Sequence, residues 1–421
     1  MKRNDILKCL KANKKISDYE LITTDKDSRE LFYVLDHLEI NRAVKTHADV
    51  VKVYISDKKT IGSSIVNITA ADDEKSLTKK LNDAVKKAKA AKNQYYPLPE
   101  KNINIIDKPL KVKELNDIAC KIAEAALKAD IYEEGWINST EIFVSLLTKE
   151  FANSKGIHHK TYGLKVEIEV IPTWSNKKEE IELYKFIESN EVDYERVTKE
   201  VREILLLAKE RSEAKKLSEI KLPKNIKVLV KNDMRDTLIS NLASDLTYRE
   251  LYMHQNHYKL KDVISNNKFD LTMKPVVKGC ANSCKFDGNG IALKAKKVIS
   301  KGKVVANFGD QQFGSYLGVK DITGDLPVVE LKVEGYDYTK EKHLIVETFS
   351  SPQLEPNSGY WGGEVRLAKY FDGKKYIPLT SLSISGSIYE DYKNVKFSNE
   401  QDTSAEYKGP KYFIFEGINI H

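Results

Sequence analysis

The side chains best suited to holding a metal ion form two spaced pairs. His254 and His257 are three residues apart and could face one way on a helix, and Cys280 and Cys284 are four apart. A zinc site needs three or four such ligands, and neither pair has a further cysteine or histidine at a suitable distance along the chain. The favoured interpretations are solvated or helix-capping histidines and two free thiols near a turn, so no bound metal is expected.

Catalytic side chains are not apparent either. His158 and His159 are adjacent, and neighbouring residues on a strand point to opposite faces, so the two cannot easily chelate one ion and a surface role is expected. No Ser-His-Asp or Cys-His arrangement can be assigned from spacing, because such residues meet only in the folded chain. The sequence therefore assigns no catalytic residue.

The elements that must position these residues belong to a chain of 421 residues, a length typical of two or three domains. An apolar fraction of 41% can supply real cores. The net charge of +7 is the small difference between 69 basic and 62 acidic residues. That balance is typical of a mixed, soluble surface and only weakly suggests an anionic partner.

The expected location is the cytoplasm. The first residues alternate apolar side chains with lysines and contain no apolar signal region, and no later segment approaches the roughly 18 apolar residues that a membrane span needs. The four cysteines are too few and too scattered for a disulfide scaffold, so reduced thiols are expected.

The first half of the chain is predicted to mix strands and helices. Segments 30–35 and 50–55 are rich in β-branched and aromatic residues, as strands are. Residues 139–171 predict a β-hairpin with its turn at 153–156. Apolar residues at a three-to-four spacing predict three amphipathic helices: one capped by Asp72 or Asp73, one from about Lys113, and one over 193–215.

The second half opens with a predicted strand at 226–230 and a predicted helix at 234–246. Beyond Lys274, short strands alternate with closely spaced glycines, which is typical of antiparallel sheet with tight turns. The residues around Pro223 look like a domain boundary. The predicted architecture is α+β, with an N-terminal domain of mixed strands and helices (1–218) and a mainly antiparallel β C-terminal domain (219–421).

An ordered series of blocks in this second half resembles the TldD/PmbA family of metallopeptidases. The strongest block is 358–370, Ser-Gly-Tyr-Trp-Gly-Gly-Glu-Val-Arg-Leu-Ala-Lys-Tyr, which is similar to the family's Thr-Gly-x-Phe-Ser-Gly-Glu-x-Arg. Other blocks follow the family's order and spacing at 285–290 (Lys-Phe-Asp-Gly-Asn-Gly), 298–304, 323–324, 372–374 and 384–387. The N-terminal half agrees more loosely.

The resemblance also shows what this chain lacks. TldD-type subunits of the family carry His-Glu-x-x-x-His on a helix and a distant cysteine, which together bind zinc. At the matching residues, Lys231 and Asp236 stand at the two histidine positions and Asn232 stands at the glutamate position. Lysine is a donor and not a ligand, and asparagine is no general base at neutral pH. No His-Glu dipeptide occurs in the sequence, and residues 406–419 contain no cysteine.

PmbA/TldE-type subunits of the family share this loss. The resemblance therefore implies a non-catalytic subunit without a cofactor, which forms a heterodimer with a TldD-like zinc subunit and helps to enclose a chamber for unfolded peptides. Strand addition to an exposed sheet edge would bind such peptides through their backbone. The alternatives are a stand-alone homodimeric peptide-binding protein without catalytic activity and a hydrolase with an unrecognised site.

Tyr360 and Trp361 are the candidates for a peptide groove or a subunit interface. They lie between Gly359 and Gly362, and bulky aromatic residues are favoured anchors at interfaces. They could equally be core residues at the start of a strand, and the sequence leaves both possibilities open.

The lysines between Lys79 and Lys92 form a basic face on a predicted helix. The family's older label as a modulator of DNA gyrase invites nucleic acid as a partner. No nucleic-acid-binding motif is present, however, and Asp73, Glu74 and Asp83 share the helix. A solvated face is favoured, and neither nucleic acid nor a membrane is expected as a partner.

Overall fold

The structure is a computed structural model that describes residues 1–57, 59–101, 103–112, 114–176 and 179–421. Its described residues form one sheet of eight strands from the first half of the chain, and sheets of nine and six strands mostly from the second half. Most strand pairs are antiparallel and the helices pack on the sheets, so the predicted α+β architecture is confirmed. Within the described ranges, no helix is long and apolar enough to cross a membrane.

The elements are numbered in chain order. The helices are α1 Arg3–Ala12, α2 Glu74–Ala90, α3 Leu115–Leu127, α4 Tyr194–Ser212, α5 Asn232–Asp245, α6 Tyr248–Met253, α7 Gln311–Tyr316 and α8 Ile388–Asp391, with 3-10 turns at Leu217–Glu219 and Tyr392–Asn394. The strands of the first sheet are β1 Asp18–Val34, β2 His37–Ser56, β3 Thr60–Ile68, β4 Asn93–Gln94, β5 Gly135–Asn153, β6 His158–Ser175, β7 Glu180–Glu182 and β8 Lys185–Ser189. The remaining strands are β9 Lys215–Lys216, β10 Lys227–Val230, β11 Phe269–Lys274, β12 Lys296–Ser300, β13 Lys303–Val304, β14 Val328–Val333, β15 His343–Glu355, β16 Tyr360–Phe371, β17 Tyr376–Thr380, β18 Leu382–Ser387, β19 Lys396–Phe397, β20 Gln401–Thr403, β21 Tyr407–Pro410, β22 Phe413–Phe415 and β23 Asn419–Ile420.

Four long antiparallel strands, β2, β1, β5 and β6 in spatial order, form the centre of the N-terminal sheet. Helices cover this sheet in two places. At one end α1 and α2 pack over Leu21 and Val51, and at the other end α3 and α4 pack over Leu31 and Ile142. The alternating burial along β1 and β5 explains why the sequence pattern indicated strands here.

The predicted helices of this half are confirmed. In α2, Asp73 caps the first turn by accepting a hydrogen bond from the backbone N–H of Ser76, and the predicted apolar stripe is buried. In α4, Asp193 caps in the same way. The predicted start of the second helix, Lys113, lies outside the described residues, and the observed helix α3 begins at Leu115.

The first helix, α1, is not predicted from the sequence. Only Ile6 and Leu10 of its ten residues are fully buried, and they pack against Leu77 and Leu81 of α2. So short an apolar stripe, interrupted by lysines, does not distinguish a helix from irregular chain.

The second half folds around one core shared by its two sheets and α5. Three strand pairs depart from the predicted antiparallel arrangement: β10 with β15, β14 with β21, and β17 with β9 are parallel. Strand β9 precedes residue 219 in the chain and yet pairs with β17. The boundary between 218 and 219 stays a prediction.

A buried histidine joins the two halves. The ring of His159 packs against Phe151 and Phe286, which also contact each other. Its Nδ1 accepts a hydrogen bond from the backbone N–H of Ile105 (2.9 Å), which leaves Nε2 to donate to the backbone oxygen of Gly290 (2.9 Å). Gly290 has a φ of +82°, and a Cβ there would lie 2.2 Å from Phe151, so only glycine fits this contact. The surface role expected for His159 is therefore wrong, because the junction covers it.

The protein is expected to lose stability on acidification because of this junction. Burial lowers the pKa of His159, and a proton on Nδ1 would break the bond from Ile105. The unfolded chain takes up that proton below about pH 6.5, so stability falls by up to ~1.4 kcal/mol per pH unit as the pH drops further. His159→Gln, which cannot be protonated, should be less stable at pH 7.5 and should show a shallower dependence between pH 6.5 and 5 in urea unfolding.

The matched control is His37→Gln, because the side chain of His37 is 79% exposed. This variant should follow the parent protein at every pH. An unchanged pH dependence in His159→Gln would contradict the assignment of a neutral, junction-forming ring.

Candidate functional site

A cleft of about 1160 Å³ lies between the two halves of the chain. Strand β8 and the first turns of α4 line it on the N-terminal side. The beginning of α5, part of β15 and residues 401–408 line it on the C-terminal side. The residues that match the family's metal-binding positions, 231–236, all lie in its wall.

Strand β8 offers this cleft an open edge. Among the described residues it pairs only with β6, so its second edge has no neighbouring strand. Ile187 of β8 is buried and packs in the same core as the apolar residues of α4, which fixes the strand in place. Tyr184 and Phe186 line the cleft and are 57% and 39% exposed. The edge therefore presents unpaired backbone groups beside two aromatic side chains.

A chain of charges begins at Lys231 and Glu347 in the wall of the cleft. The ammonium group of Lys231 contacts Oε2 of Glu347. Nζ of Lys369 lies 3.0 Å from Oε1 of Glu347 and 3.1 Å from Oε2 of Glu210. Glu210 belongs to α4, so these four residues, called the ion network below, tie the N-terminal half to β15 and β16.

Strand register explains why Lys231 and Glu347 meet. β10 and β15 run parallel with Val230 opposite Val346, so the next residue on each strand is Lys231 on one and Glu347 on the other. Lys231 is also the N-cap of α5, where its side chain makes no capping hydrogen bond. Lysine is not a capping residue, so its position here serves the contact with Glu347.

Glu347 is charged although its side chain is only 3% exposed. Burial opposes ionisation, but the ammonium groups of Lys231 and Lys369 outweigh burial and lower the pKa of Glu347. Burial also lowers the pKa of Lys231, and the carboxylate of Glu347 offsets only part of that effect. Each charge in the network therefore depends on its neighbours.

A second ionic cluster lies one turn along α5. The guanidinium of Arg235, whose side chain is 1% exposed, is 2.7 Å from a carboxylate oxygen of Asp236 and 2.7 Å from one of Asp402. It also lies over the ring of Tyr407, 4.4 Å from the centroid. The carboxylate of Asp236 thus forms an ion pair with the adjacent residue, Arg235.

The two aromatic candidates take different places. Trp361 is fully buried, packs on Phe415 and donates its indole N–H to Asp391 (2.7 Å). It is a core residue of this chain, which is the second of the two possibilities left open by the sequence. Tyr360 is 39% exposed, and neither residue lines the cleft. A groove or interface role for Tyr360 stays a prediction.

The histidine and cysteine pairs have separate surroundings. His254 ends α6 in a left-handed conformation, and the ring of His257 stacks on Tyr389 with 3.6 Å between centroids. Cys280 is buried and its thiol points to the backbone oxygen of Tyr407. In the part of the chain that the structure describes, no three His, Cys, Asp or Glu side chains are arranged to hold a metal ion.

Comparison with protein-family models identifies the C-terminal half. Residues 223–421 match the PmbA/TldA metallopeptidase C-terminal domain, the region that contains α5, Glu347 and Lys369. This match decides the family of that half. The C-terminal half of the chain belongs to the TldD/PmbA family.

Solved structures share its fold over nearly the whole length. TldE from Thermococcus kodakarensis is similar with a TM-score of 0.79 and 15% identity, covering 99% of each chain. A proposed modulator of DNA gyrase from Bacteroides thetaiotaomicron has a TM-score of 0.76 and 15% identity, covering 99% of this chain and 96% of its own. Another, from Thermotoga maritima, has a TM-score of 0.74 and 13% identity, covering 100% and 99%. No curated protein matches the chain by sequence.

The zinc ion that TldD-type members of the TldD/PmbA family carry does not fit the residues present here. Lys231 has only donor atoms, and its ammonium is held by Glu347. The amide of Asn232 is a poor ligand for zinc, which takes nitrogen and sulfur from His and Cys and oxygen from carboxylates. Asp236, the third matching position, is bound by Arg235. The cleft wall thus contains an ion network where a metal centre would need free ligands.

The ionic partners of Lys231 belong to no recognised sequence motif. One feature of the sequence nevertheless indicates that charged residues are buried here. Glu347 and Lys369 each interrupt an apolar strand run, in Leu-Ile-Val-Glu and Leu-Ala-Lys-Tyr. A charge in a run of that kind is buried, and a buried charge requires an opposite charge. The signal predicts that partners exist, but not which residues they are.

Breaking the ion network should destabilise the fold. Lys231→Met leaves Glu347 with one cation instead of two, and removing a partner from a buried pair costs about 3 kcal/mol or more. Glu347→Leu should cost a similar amount. The double variant should cost less than the sum by about 1 kcal/mol or more, because neither single variant retains the pair. Urea unfolding of the three variants measures both quantities.

Lys185→Met provides the control for that cycle. It removes a partly exposed pair with Glu200, whose side chains are 30% and 18% exposed, and should cost less than about 1 kcal/mol. If Lys231→Met is no more damaging than this control, the ion network does not stabilise the site.

Proposed function

We propose that this chain is a non-catalytic TldE/PmbA-like subunit that acts with a TldD-like zinc peptidase subunit on unfolded peptides in the cytoplasm. One observation carries the proposal: at the residues that match the catalytic motif, Lys231 and Asp236 are committed to buried ionic contacts with Glu347 and Arg235. A subunit arranged in this way needs a partner for the chemistry.

The comparisons support the class of protein. The C-terminal half matches a metallopeptidase domain, and one similar fold is that of TldE. The cytoplasm is proposed because the four cysteines are free and one of them, Cys280, is buried as a thiol.

Peptide binding is proposed at the open edge of β8. Strand addition uses backbone groups, so it accepts peptides of many sequences, and aromatic side chains beside the edge add contacts. The cleft is somewhat larger than the usual range of small-ligand sites, about 300 to 1,000 Å³. An unfolded peptide in extended conformation suits such a site.

A stand-alone homodimeric peptide-binding protein is the alternative. It is favoured by the fact that both walls of the cleft come from a single chain, so binding would not require a TldD-like subunit. The two hypotheses differ in whether a partner adds activity.

The purified chain should contain no stoichiometric zinc and should cleave no unfolded peptide by itself. Mixed with the TldD-like protein of the same organism, it should raise cleavage at least tenfold above that of either protein alone. Metal analysis, size-exclusion chromatography and a fluorescent casein-fragment assay measure these outcomes. Binding without any gain in cleavage favours the stand-alone protein, and zinc-dependent cleavage by this chain alone refutes both hypotheses.

The aromatic side chains at β8 should affect peptide affinity. Truncating two exposed anchors, Tyr184→Ser with Phe186→Ser, should weaken binding of an extended peptide about tenfold, which corresponds to ~1.4 kcal/mol. Tyr95→Ser is the control, because Tyr95 is similarly exposed at 41% and lies outside the cleft. Fluorescence anisotropy with a labelled peptide measures both. Equal affinities in all three proteins would exclude the β8 edge as the peptide site.

A further inference from the structure

The positive charge of this chain is concentrated in two short segments. Residues 1–15 and 72–92 together contain thirteen Lys and Arg residues and five Asp and Glu residues, which is a net charge of +8. The whole chain has a net charge of +7, so all the remaining residues sum to −1. The nearly balanced charge of the whole chain therefore combines a strongly basic part with an almost neutral remainder.

The structure places these two segments side by side. α1 lies in the first segment and α2 in the second, and the two helices pack against each other through Ile6, Leu10, Leu77 and Leu81. Since their apolar faces are used for this contact and for the sheet beneath, their lysines point away from the core. The basic surface formed by α1, α2 and the residues that follow each helix is called the α1/α2 surface below.

The five lysines of residues 1–15 are available to bind a ligand. Lys2, Lys8, Lys11, Lys14 and Lys15 are all exposed, and none forms an ion pair with another described residue. Asp5 is the one acidic residue in this part of the chain. An ordinary solvated helix would have acidic and basic side chains in similar numbers, whereas basic side chains predominate in this segment.

The lysines of α2 extend the same surface. Lys75, Lys79, Lys87, Lys89 and Lys92 are exposed, and again none pairs with an acidic side chain in the described ranges. The acidic residues on this helix are already neutralised in part, since Asp72 pairs with Lys80 (2.5 Å) and Asp83 with Lys86 (3.2 Å). Over its 17 residues α2 is about 25 Å long, so these cations follow one another along a considerable distance.

The chemistry of the α1/α2 surface selects its occupant. Membrane-surface helices combine cations with apolar side chains that insert between lipids, but no large apolar residue of either segment is exposed. Base recognition relies mostly on arginine, amide side chains and aromatic stacking, with lysine as a second reader of guanine; in the two segments lysine predominates, with Arg3 as the single arginine and no aromatic residue. Rows of lysine without these companions suit a ligand of high linear charge density, such as the phosphate backbone of duplex DNA.

We infer that the α1/α2 surface binds the phosphate backbone of double-stranded nucleic acid without reading its sequence. This binding is separate from the proposed peptide site, which lies in the cleft lined by β8 and α5. The sequence alone favours a solvated face for the lysines of α2, because no nucleic-acid-binding motif is present and acidic residues share that helix. Residues 1–15, whose helix α1 the sequence does not predict, add five exposed lysines to this surface.

The test uses the full chain and a labelled 30-base-pair duplex in fluorescence anisotropy at 25 to 200 mM KCl. Binding should be independent of duplex sequence, and log Kd should rise linearly with log salt with a slope of about 4 or more, from about five phosphate contacts. The variant Lys11→Gln, Lys75→Gln, Lys79→Gln, Lys87→Gln should bind at least tenfold more weakly at 50 mM KCl and should lower that slope by about 2 to 4. Glutamine keeps the helices intact, which circular dichroism confirms.

The matched control removes the same number of charges elsewhere. Lys268, Lys294, Lys320 and Lys340 are exposed and distant in sequence from both helices, and changing all four to Gln should alter Kd less than twofold. Equal losses in the two variants would refute a localised surface. The inference also fails if the chain does not bind the duplex at 50 mM KCl. Binding to vesicles containing 30% phosphatidylserine without binding to the duplex would refute it in the same way.

Discussion

A carboxylate that is almost completely removed from water dictates the arrangement of this site. Glu347 is 4% exposed, and an unpaired charge at that depth would cost several kcal/mol. Its neutralisation requires Lys231 at the end of β10, Lys369 on β16, and Glu210 on α4 to balance Lys369. The segments that contain Lys231, Lys369 and Glu210 are distant in the sequence, and the ionic contacts that neutralise Glu347 hold them together. The part of the cleft wall that contains Lys231 and Glu347 is positioned for this reason.

The rest of the molecule supplies the frame in which these segments meet. The long strands β1, β2, β5 and β6 carry the N-terminal helices, including α4 with Glu210. The ring of His159 and the turn at Gly290 form another contact between the halves. The two halves thus touch through an ionic contact in one region and an aromatic, hydrogen-bonded contact in another.

The sequence predicts those features that depend on local pattern. The apolar stripes of α2 and α4, their caps Asp73 and Asp193 and the hairpin of β5 and β6 follow from residues near one another in the chain, and all are observed. The family's blocks lead in the same way to residues 231–236. The helix α1 is missed because its stability comes from packing on α2 and not from its own composition.

Features that depend on pairing between distant segments could not be predicted. The parallel register of β10 and β15 brings Lys231 to Glu347, and nothing in either strand specifies that neighbour. Trp361 illustrates the same limit: its type favoured a surface anchor and a core residue equally, and only the contact with Phe415 and Asp391 separates the two. Burial is a property of the assembled sheets, and it is not contained in a window of sequence.

The ion network also restricts the routes by which this sequence can change. Replacing Lys231 alone by a metal ligand leaves Glu347 with one cation instead of two. Replacing Glu347 alone leaves Lys231 without an ionic partner among the described residues, while Lys369 keeps Glu210. Each first step lowers stability before any ligand set is complete, because Asp236 remains held by Arg235 and residues 406–419 contain no cysteine. A descendant of this chain could therefore gain a metal centre at the cleft only through less stable intermediates, or through several replacements fixed together.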